Sequence, residues 1–223
     1  MRATLALLAA NFSFFIIQSL APGFTEALWL VPSEALAGAY WQFVTYMFLH
    51  GGIDHILFNM ISLGFIGLSL EAGIGARRLL ELYLASGLGS AVLYIALTGA
   101  SQSPMLGASG AVLGLLAAYG VMNPRGIILI MGFPVPAALG VVVFAAAQFV
   151  LGFYSLEPGV ANFGHFGGIV TGAIIALLWR WRRGSLHMPQ KGRRNPSVDE
   201  RKLFWEDAKW QKSGRQTFFK RRF

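Results

Sequence analysis

The stretch Asn162-Phe163-Gly164-His165-Phe166-Gly167-Gly168-Ile169-Val170-Thr171-Gly172 places an imidazole inside a run that stays largely apolar as far as Trp179. About 20 apolar residues are enough to cross the hydrocarbon core of a bilayer as a helix. An ionisable side chain within such a span carries a functional expectation, because its burial has to be compensated by a partner. Gly168 and Gly172 form a small stripe beside His165 that lets another backbone approach closely. The imidazole then needs a polar partner at that contact.

Working outward, the rest of the chain supports the membrane reading. Of its 223 residues, 55% are hydrophobic and 13% charged, where soluble domains carry about 25% charged residues. Between Ala3 and Trp179 the only basic residues are Arg77, Arg78 and Arg125. Six spans are predicted, at about Leu5–Leu20, Ile53–Leu70, Leu79–Leu97, Met105–Val121, Ala137–Phe153 and Phe163–Trp181. Ile127–Val135 is also apolar, but it is short and runs into Pro134-Val135-Pro136, so it reads as an interfacial segment leading into the fifth span. The first segment reads as a span rather than a secretory signal, since Phe14, Phe15, Ile16 and Ile17 continue the run without a small-residue cleavage site. With no cysteine in the chain, disulfides, thiolate zinc sites and a cysteine nucleophile are excluded.

Charge predicts the orientation. With the N-terminus in the cytoplasm and six spans threaded, all 18 Lys and Arg residues fall on the cytoplasmic side, as the positive-inside bias requires. Both termini are then cytoplasmic, and the external side holds Gly23–Gly52, Gly99–Pro104 and Tyr154–Ala161. The first of these loops carries Trp29, Tyr40, Trp41 and Tyr46. It is expected to lie partly in the membrane, supported by protein, because unpaired backbone cannot face lipid. The chain divides into a membrane domain, residues 1–183, and a basic cytoplasmic tail, residues 184–223. The tail holds eleven Lys and Arg against four Asp and Glu. Behind six spans this charge reads as contact with anionic lipid rather than with nucleic acid. Leu203, Asp207 and Trp210 lie near one helical face, so a membrane-surface helix and an unstructured tail are both open.

Two further stretches carry polar residues where the bilayer penalises them. In His50-Gly51-Gly52-Ile53-Asp54-His55-Ile56-Leu57-Phe58-Asn59, His55 and Asn59 are four apart and share a helix face. In Ser103-Pro104-Met105-Leu106-Gly107-Ala108-Ser109-Gly110-Ala111-Val112-Leu113-Gly114, Ser103 is placed to cap span four and Pro104 to occupy its first position. Ser109 would then lie about 8 Å below the helix start, with Gly110 and Gly114 as a small pair. Singly, each stretch also fits a structural role: polar side chains bond neighbouring helices at about 0.6 kcal/mol each, and small residues line helix contacts. Jointly they say more. Spans two, four and six all descend from outside to inside, so His55, Ser109 and His165 share one depth. If the glycine faces of spans four and six touch, Ser109 and His165 reach hydrogen-bond distance, which supplies a nucleophile and a base.

These stretches, in this order, resemble the motifs of the rhomboid family of intramembrane serine proteases. Gly107-Ala108-Ser109-Gly110 is similar to its Gly-x-Ser-Gly nucleophile motif. Gly164-His165-Phe166-Gly167-Gly168 with Gly172 is similar to its final-span histidine motif, and His55-Ile56-Leu57-Phe58-Asn59 to its His-x-x-x-Asn. Trp41 through His50 resembles the loop before it, and Glu71 stands where members often keep an acid. Trp41-Gln42 replaces the Trp-Arg of many members, and Leu113 takes the place of an aromatic that some members stack on the histidine.

The resemblance implies an all-α membrane protein, a six-transmembrane-helix bundle with a large membrane-associated first external loop. It implies Ser109 as nucleophile and His165 as general base. His55, Asn59 and the Ser109 backbone amide would form the oxyanion hole, and Gly107, Gly110, Gly168 and Gly172 would pack the helices near the site. No metal or other cofactor is implied. The implied partners are transmembrane protein substrates, entering between spans two and five, and the lipid bilayer. The implied setting is the cell membrane, of bacterial inner-membrane type, with the site facing outward. No acid is placed to orient His165, so packing is expected to hold the ring. A catalytically inactive rhomboid-like scaffold and a transporter are the competing classes; no inverted repeat supports the transporter. The oligomeric state is left open.

Overall fold

Each long apolar segment forms a helix, and the polar breaks between them set the order. Helices α1 (Arg2–Leu20), α2 (Phe24–Leu28), α3 (Pro32–Leu36) and α4 (Gln42–Thr45) precede a short 3-10 turn, Tyr46–Phe48. Then come α5 (Ile53–Ile74), α6 (Ala76–Thr98), α7 (Ser109–Met122), strands β1 (Ile127–Ile130) and β2 (Phe133–Pro136), α8 (Ala137–Phe153) and α9 (Asn162–Arg183). The computed structural model describes residues 1–130, 132–154 and 161–183. The expectations for the tail at 184–223 lie outside the described residues. Helices α1, α5, α6 and α9 are long and apolar enough to cross a membrane, and α7 and α8 are shorter apolar helices. The chain is a helical membrane bundle. Helices α6, α7 and α9 pack on one another at its centre, α1 lies against α5, and α8 lies against α7 and α9.

The first loop is built into the protein. Leu30, Met47 and Leu49 are fully buried, as is Tyr46, whose hydroxyl donates to the Gly87 carbonyl at 2.7 Å. Gln42 fills the role of a clip. Its Oε1 accepts from the Val31 amide at 3.0 Å and its Nε2 donates to the Glu34 carboxylate at 2.8 Å. Replacing it by leucine leaves a buried N–H without an acceptor, which costs about 1–3 kcal/mol. We expect Gln42→Leu to lower the melting midpoint in detergent and to speed proteolytic nicking of residues 30–41.

One expectation is corrected. The fourth helix does not begin at Met105 with Ser103 as cap and Pro104 at its first position. Met105 is tied to Leu30 by a pair of antiparallel backbone bonds of 2.8 and 2.9 Å. Gly107 holds φ at +127° and donates its amide to the Tyr46 carbonyl at 3.0 Å. These contacts hold residues 105–107 out of a helix, so Ser109 is the first residue of α7 rather than one lying deep within it. The 14 residues of α7 span about 21 Å, some 9 Å short of a hydrocarbon core of about 30 Å. The segment read as leading into the fifth span, Ile127–Val135, runs into α8 and takes the form of an antiparallel hairpin with Ile127 opposite Pro136 and Ile130 opposite Phe133. Its β-branched and aromatic residues suit strands, and a glycine at φ +86°, Gly132, serves the turn.

Glu71 closes the end of the bundle remote from Ser109. Its carboxylate accepts the Ala3 amide at 3.0 Å, the Thr4 amide at 2.9 Å and the Thr4 hydroxyl at 2.7 Å. It thereby caps the first turn of α1, where free amides favour an anion. Arg180 of α9 donates to the Val121 carbonyl and so caps the last turn of α7.

Candidate active site

Glycine decides how close the central helices come. A Cβ built on Gly168 would collide with the Gly110 carbonyl oxygen, and one on Gly172 with that of Gly114. A Cβ on Gly110 would in turn strike Ser90, and one on Gly114 would strike Ser86. Helices α7 and α9 therefore meet backbone to backbone, with α6 closing the third side. The first turn of α9 then stands beside the start of α7. Ser109 Oγ lies 2.6 Å from His165 Nε2. The other ring nitrogen of His165, Nδ1, lies 2.8 Å from Gln148 Oε1 on α8. An amide oxygen only accepts, so this contact fits the tautomer protonated at Nδ1, in which Nε2 can accept from the Ser109 hydroxyl. Packing alone does not hold the ring, contrary to expectation. Leu113 lines the neighbouring cavity, and no aromatic ring stacks on His165 among the described residues.

His55 reaches the same place from α5. The Gly51 amide donates to its Nδ1 at 3.2 Å, which leaves the ring proton on Nε2. That nitrogen faces Gly107. A Cβ on Gly107 would stand 2.9 Å from His55 Nε2 and 3.6 Å from Ser109 Oγ. The missing side chain thus leaves a point within reach of one N–H donor and the hydroxyl. Gly107 lies ahead of α7 and faces His55, so its expected role in packing spans four and six is corrected; Gly110, Gly168 and Gly172 lie at that contact. Gly107→Ala would fill this point and would also strain the backbone at φ +127°; if the point receives a substrate oxygen, turnover falls about 10²–10³-fold, the scale of losing one oxyanion donor. Turnover within a few-fold of the parent would show that the point is not used.

Asn59 is placed beside His55 but faces it only in part. Its Nδ2 donates to the His55 carbonyl at 2.9 Å, and the residue lines the cavity. His50, just before α5, packs edge-on against His55 with ring centroids 5.1 Å apart. Burial, with His55 adding to it, pushes the His50 imidazole down to about 4, so the ring is neutral. A cavity of about 1050 Å³ reaches Tyr46, His55, Asn59, Ser109 and His165. That is at the upper end of sizes for small-molecule sites. Its walls include Phe58 and Ser62 of α5 and Leu151 and Gly152 of α8. No group of three or more His, Asp or Glu side chains suited to a metal occurs among the described residues.

Gln148 is the residue that the sequence reading missed. A signal was available: it is the one polar side chain in Ala137–Phe153.

Fold and site together define a helical membrane bundle with a serine–histidine pair at the meeting of two glycine-faced helices. The Rhomboid domain family model matches residues 37–182, more than half of the chain, and the chain belongs to the rhomboid family. It is 37% identical over 139 residues to RHOMBOID-like protein 4 of Arabidopsis thaliana, covering 62% of this chain and 34% of that protein. It is 31% identical over 141 residues to Rhomboid protease GluP of Bacillus subtilis, covering 62% of this chain and 26% of that one. Against Rhomboid protease AarA of Providencia stuartii the identity is 28% over 168 residues, covering 65% and 58%. The chain spans about a third to a half of the length of the plant relatives that it matches.

Proposed function

We propose that the protein is an intramembrane serine endopeptidase that cuts transmembrane substrates with a Ser109–His165 dyad. The single observation that carries this reading is the 2.6 Å approach of Ser109 Oγ to His165 Nε2. His165 accepts the hydroxyl proton as Ser109 attacks the scissile carbonyl, then returns it to the leaving amine. Charge developing on the carbonyl oxygen is met by three donors: the Ser109 amide, His55 Nε2–H and the second amide hydrogen of Asn59. The Ser109 amide is among the first of a helix and has no partner within it. No metal or cofactor is assigned a role.

A membrane helix hides its peptide bonds, so a substrate segment has to be locally unwound, and helix-breaking residues near its outer end favour that. The walls contributed by α5 and α8 support entry of such a segment between these two helices. The apolar helices and the family support a cell membrane as the setting. The basic residues support cytoplasmic termini and a site that draws water from the external face. Residues 1–183 form the proteolytic domain in this reading, and 184–223 a basic cytoplasmic appendage.

The test is to reconstitute the purified protein in proteoliposomes with a panel of single-span substrates and, separately, to treat it with a fluorophosphonate. Cleavage within or beside the span, and labelling at Ser109, are expected. A folded protein that does neither overturns this reading and leaves the catalytically inactive rhomboid-like scaffold as the alternative.

A further inference from the structure

Gln148 is an unusual residue to find where it stands. It is the one polar side chain of α8, a helix otherwise built from Ala, Val, Leu, Phe and Gly. Burying an amide in such surroundings is costly unless it is hydrogen-bonded. It does not fill the core either, because the fully buried residues of α8 are Ala137 and Gly140, at the other end of the helix. Among the described residues its one bond is at Oε1, which accepts from His165 Nδ1 at 2.8 Å, and the far side of that ring meets Ser109. Phe149, the next residue, packs on Phe166 with ring centroids 5.4 Å apart, which places aromatic cover beside the bond.

We propose that Gln148 is a positioning residue for His165, accepting a hydrogen bond from Nδ1–H and so holding the imidazole in the tautomer whose Nε2 faces the serine. The proposal rests on the dyad reading above and names the group that orients its base. A neutral oxygen is enough for this task. The imidazole is an acceptor for serine only while Nδ1 is the protonated nitrogen, and a fixed acceptor at Nδ1 selects that form. A carboxylate would do the same and would also stabilise the imidazolium, but it would add a charge in a span where charge is costly. Because α8 supplies the acceptor, the position of α8 also governs the ring. A displacement of that helix which breaks the 2.8 Å bond frees the imidazole to change tautomer.

The experiment compares three full-length proteins in detergent: the parent, Gln148→Met and Gln148→Glu. Methionine keeps the length and removes the acceptor, and glutamate restores an acceptor oxygen in either protonation state. Gln148 does not line the cavity, so KM should stay within about twofold. The methionine variant should lose about 10–100-fold in kcat, less than the ~10⁴-fold seen when a triad carboxylate is replaced and the tautomer is wrong. The glutamate variant should recover most of the loss. A methionine variant with kcat within twofold of the parent overturns the proposal, as does a glutamate variant no better than methionine. A second readout does not need turnover. With ¹⁵N-labelled histidine, the His165 signals, identified by their loss in His165→Ala, should show protonated Nδ1 in the parent and a tautomer mixture in Gln148→Met. Protonated Nε2 in the parent overturns the proposal. A parent that neither cleaves nor takes up fluorophosphonate overturns the protease reading instead, and the nitrogen spectrum then decides the Gln148 bond alone.

Discussion

Ser109→Ala is expected to lower turnover by at least about 10⁴-fold, since single loss of the nucleophile in serine proteases has cost on the order of 10⁶. The same change should remove fluorophosphonate labelling while leaving the fold almost untouched. Alanine is the best helix former, and Ser109 is the first residue of α7, half-buried rather than packed in the core. What the substitution deletes is the 2.6 Å contact with His165, worth about 1 kcal/mol to stability. The melting midpoint in detergent should therefore move little. An active, unlabelled Ser109→Ala protein would sink the dyad. One that cleaved because of a co-purified protease would betray itself by cleaving just as well after heat inactivation of the sample at its own melting temperature.

Gly168→Ala should be nearly as damaging, by a different route. The new methyl would collide with the Gly110 carbonyl oxygen and stand 2.7 Å from its carbon and 3.0 Å from its Cα. Those are backbone atoms, which cannot rotate away as a side chain would. Helices α7 and α9 have to separate, and overpacking of this kind costs about 1–3 kcal/mol or more. Ser109 and His165 lie within one turn of the collision. A shift near 1 Å at a reacting pair can cost about 10²-fold, so midpoint and labelling rate should fall together. Gly64 is the control. It lies in α5 with nothing near its built Cβ, and Gly64→Ala should leave both unchanged. If Gly168→Ala behaves like Gly64→Ala, the close approach of α7 and α9 is wrong.

The bundle was legible because hydrophobic runs of span length are among the least ambiguous patterns in a sequence. The four long helices fall on four of the runs. Local signals misled where tertiary pairing outweighed them. Ser103-Pro104 is a sound helix start by residue type, yet Leu30 engages Met105 in a strand-like bridge, and a partner 75 residues upstream leaves no trace near position 105. The hairpin was half legible: its shortness and prolines argued against a span, but the pairing of Ile128 with Val135 depends on a turn that periodicity does not reveal. At the site, Ser109, His165 and His55 stood out because each is polar within an apolar or glycine-rich stretch. Gln148 met the same description and was passed over, since no nearby motif drew attention to α8. Gln42 was noticed only as a departure. Its function as a clip depends on one donor, the Val31 amide, and one acceptor, the Glu34 carboxylate, which one-dimensional reading does not bring together.

The hairpin carries a safeguard in its second strand. Positions 134 and 136 are both proline, opposite Leu129 and Ile127, and proline has no N–H to offer a ladder. Such residues fit the wide pairs of an antiparallel ribbon, whose amides would otherwise point away from the partner strand. The free margin of β2 therefore presents carbonyls and no donors. A hairpin as oily as Ile127–Pro136 would otherwise be an invitation to strand-by-strand stacking between neighbouring molecules. Two ring-closed residues withdraw it along β2, at the level of the main chain and without spending a single charge on the task.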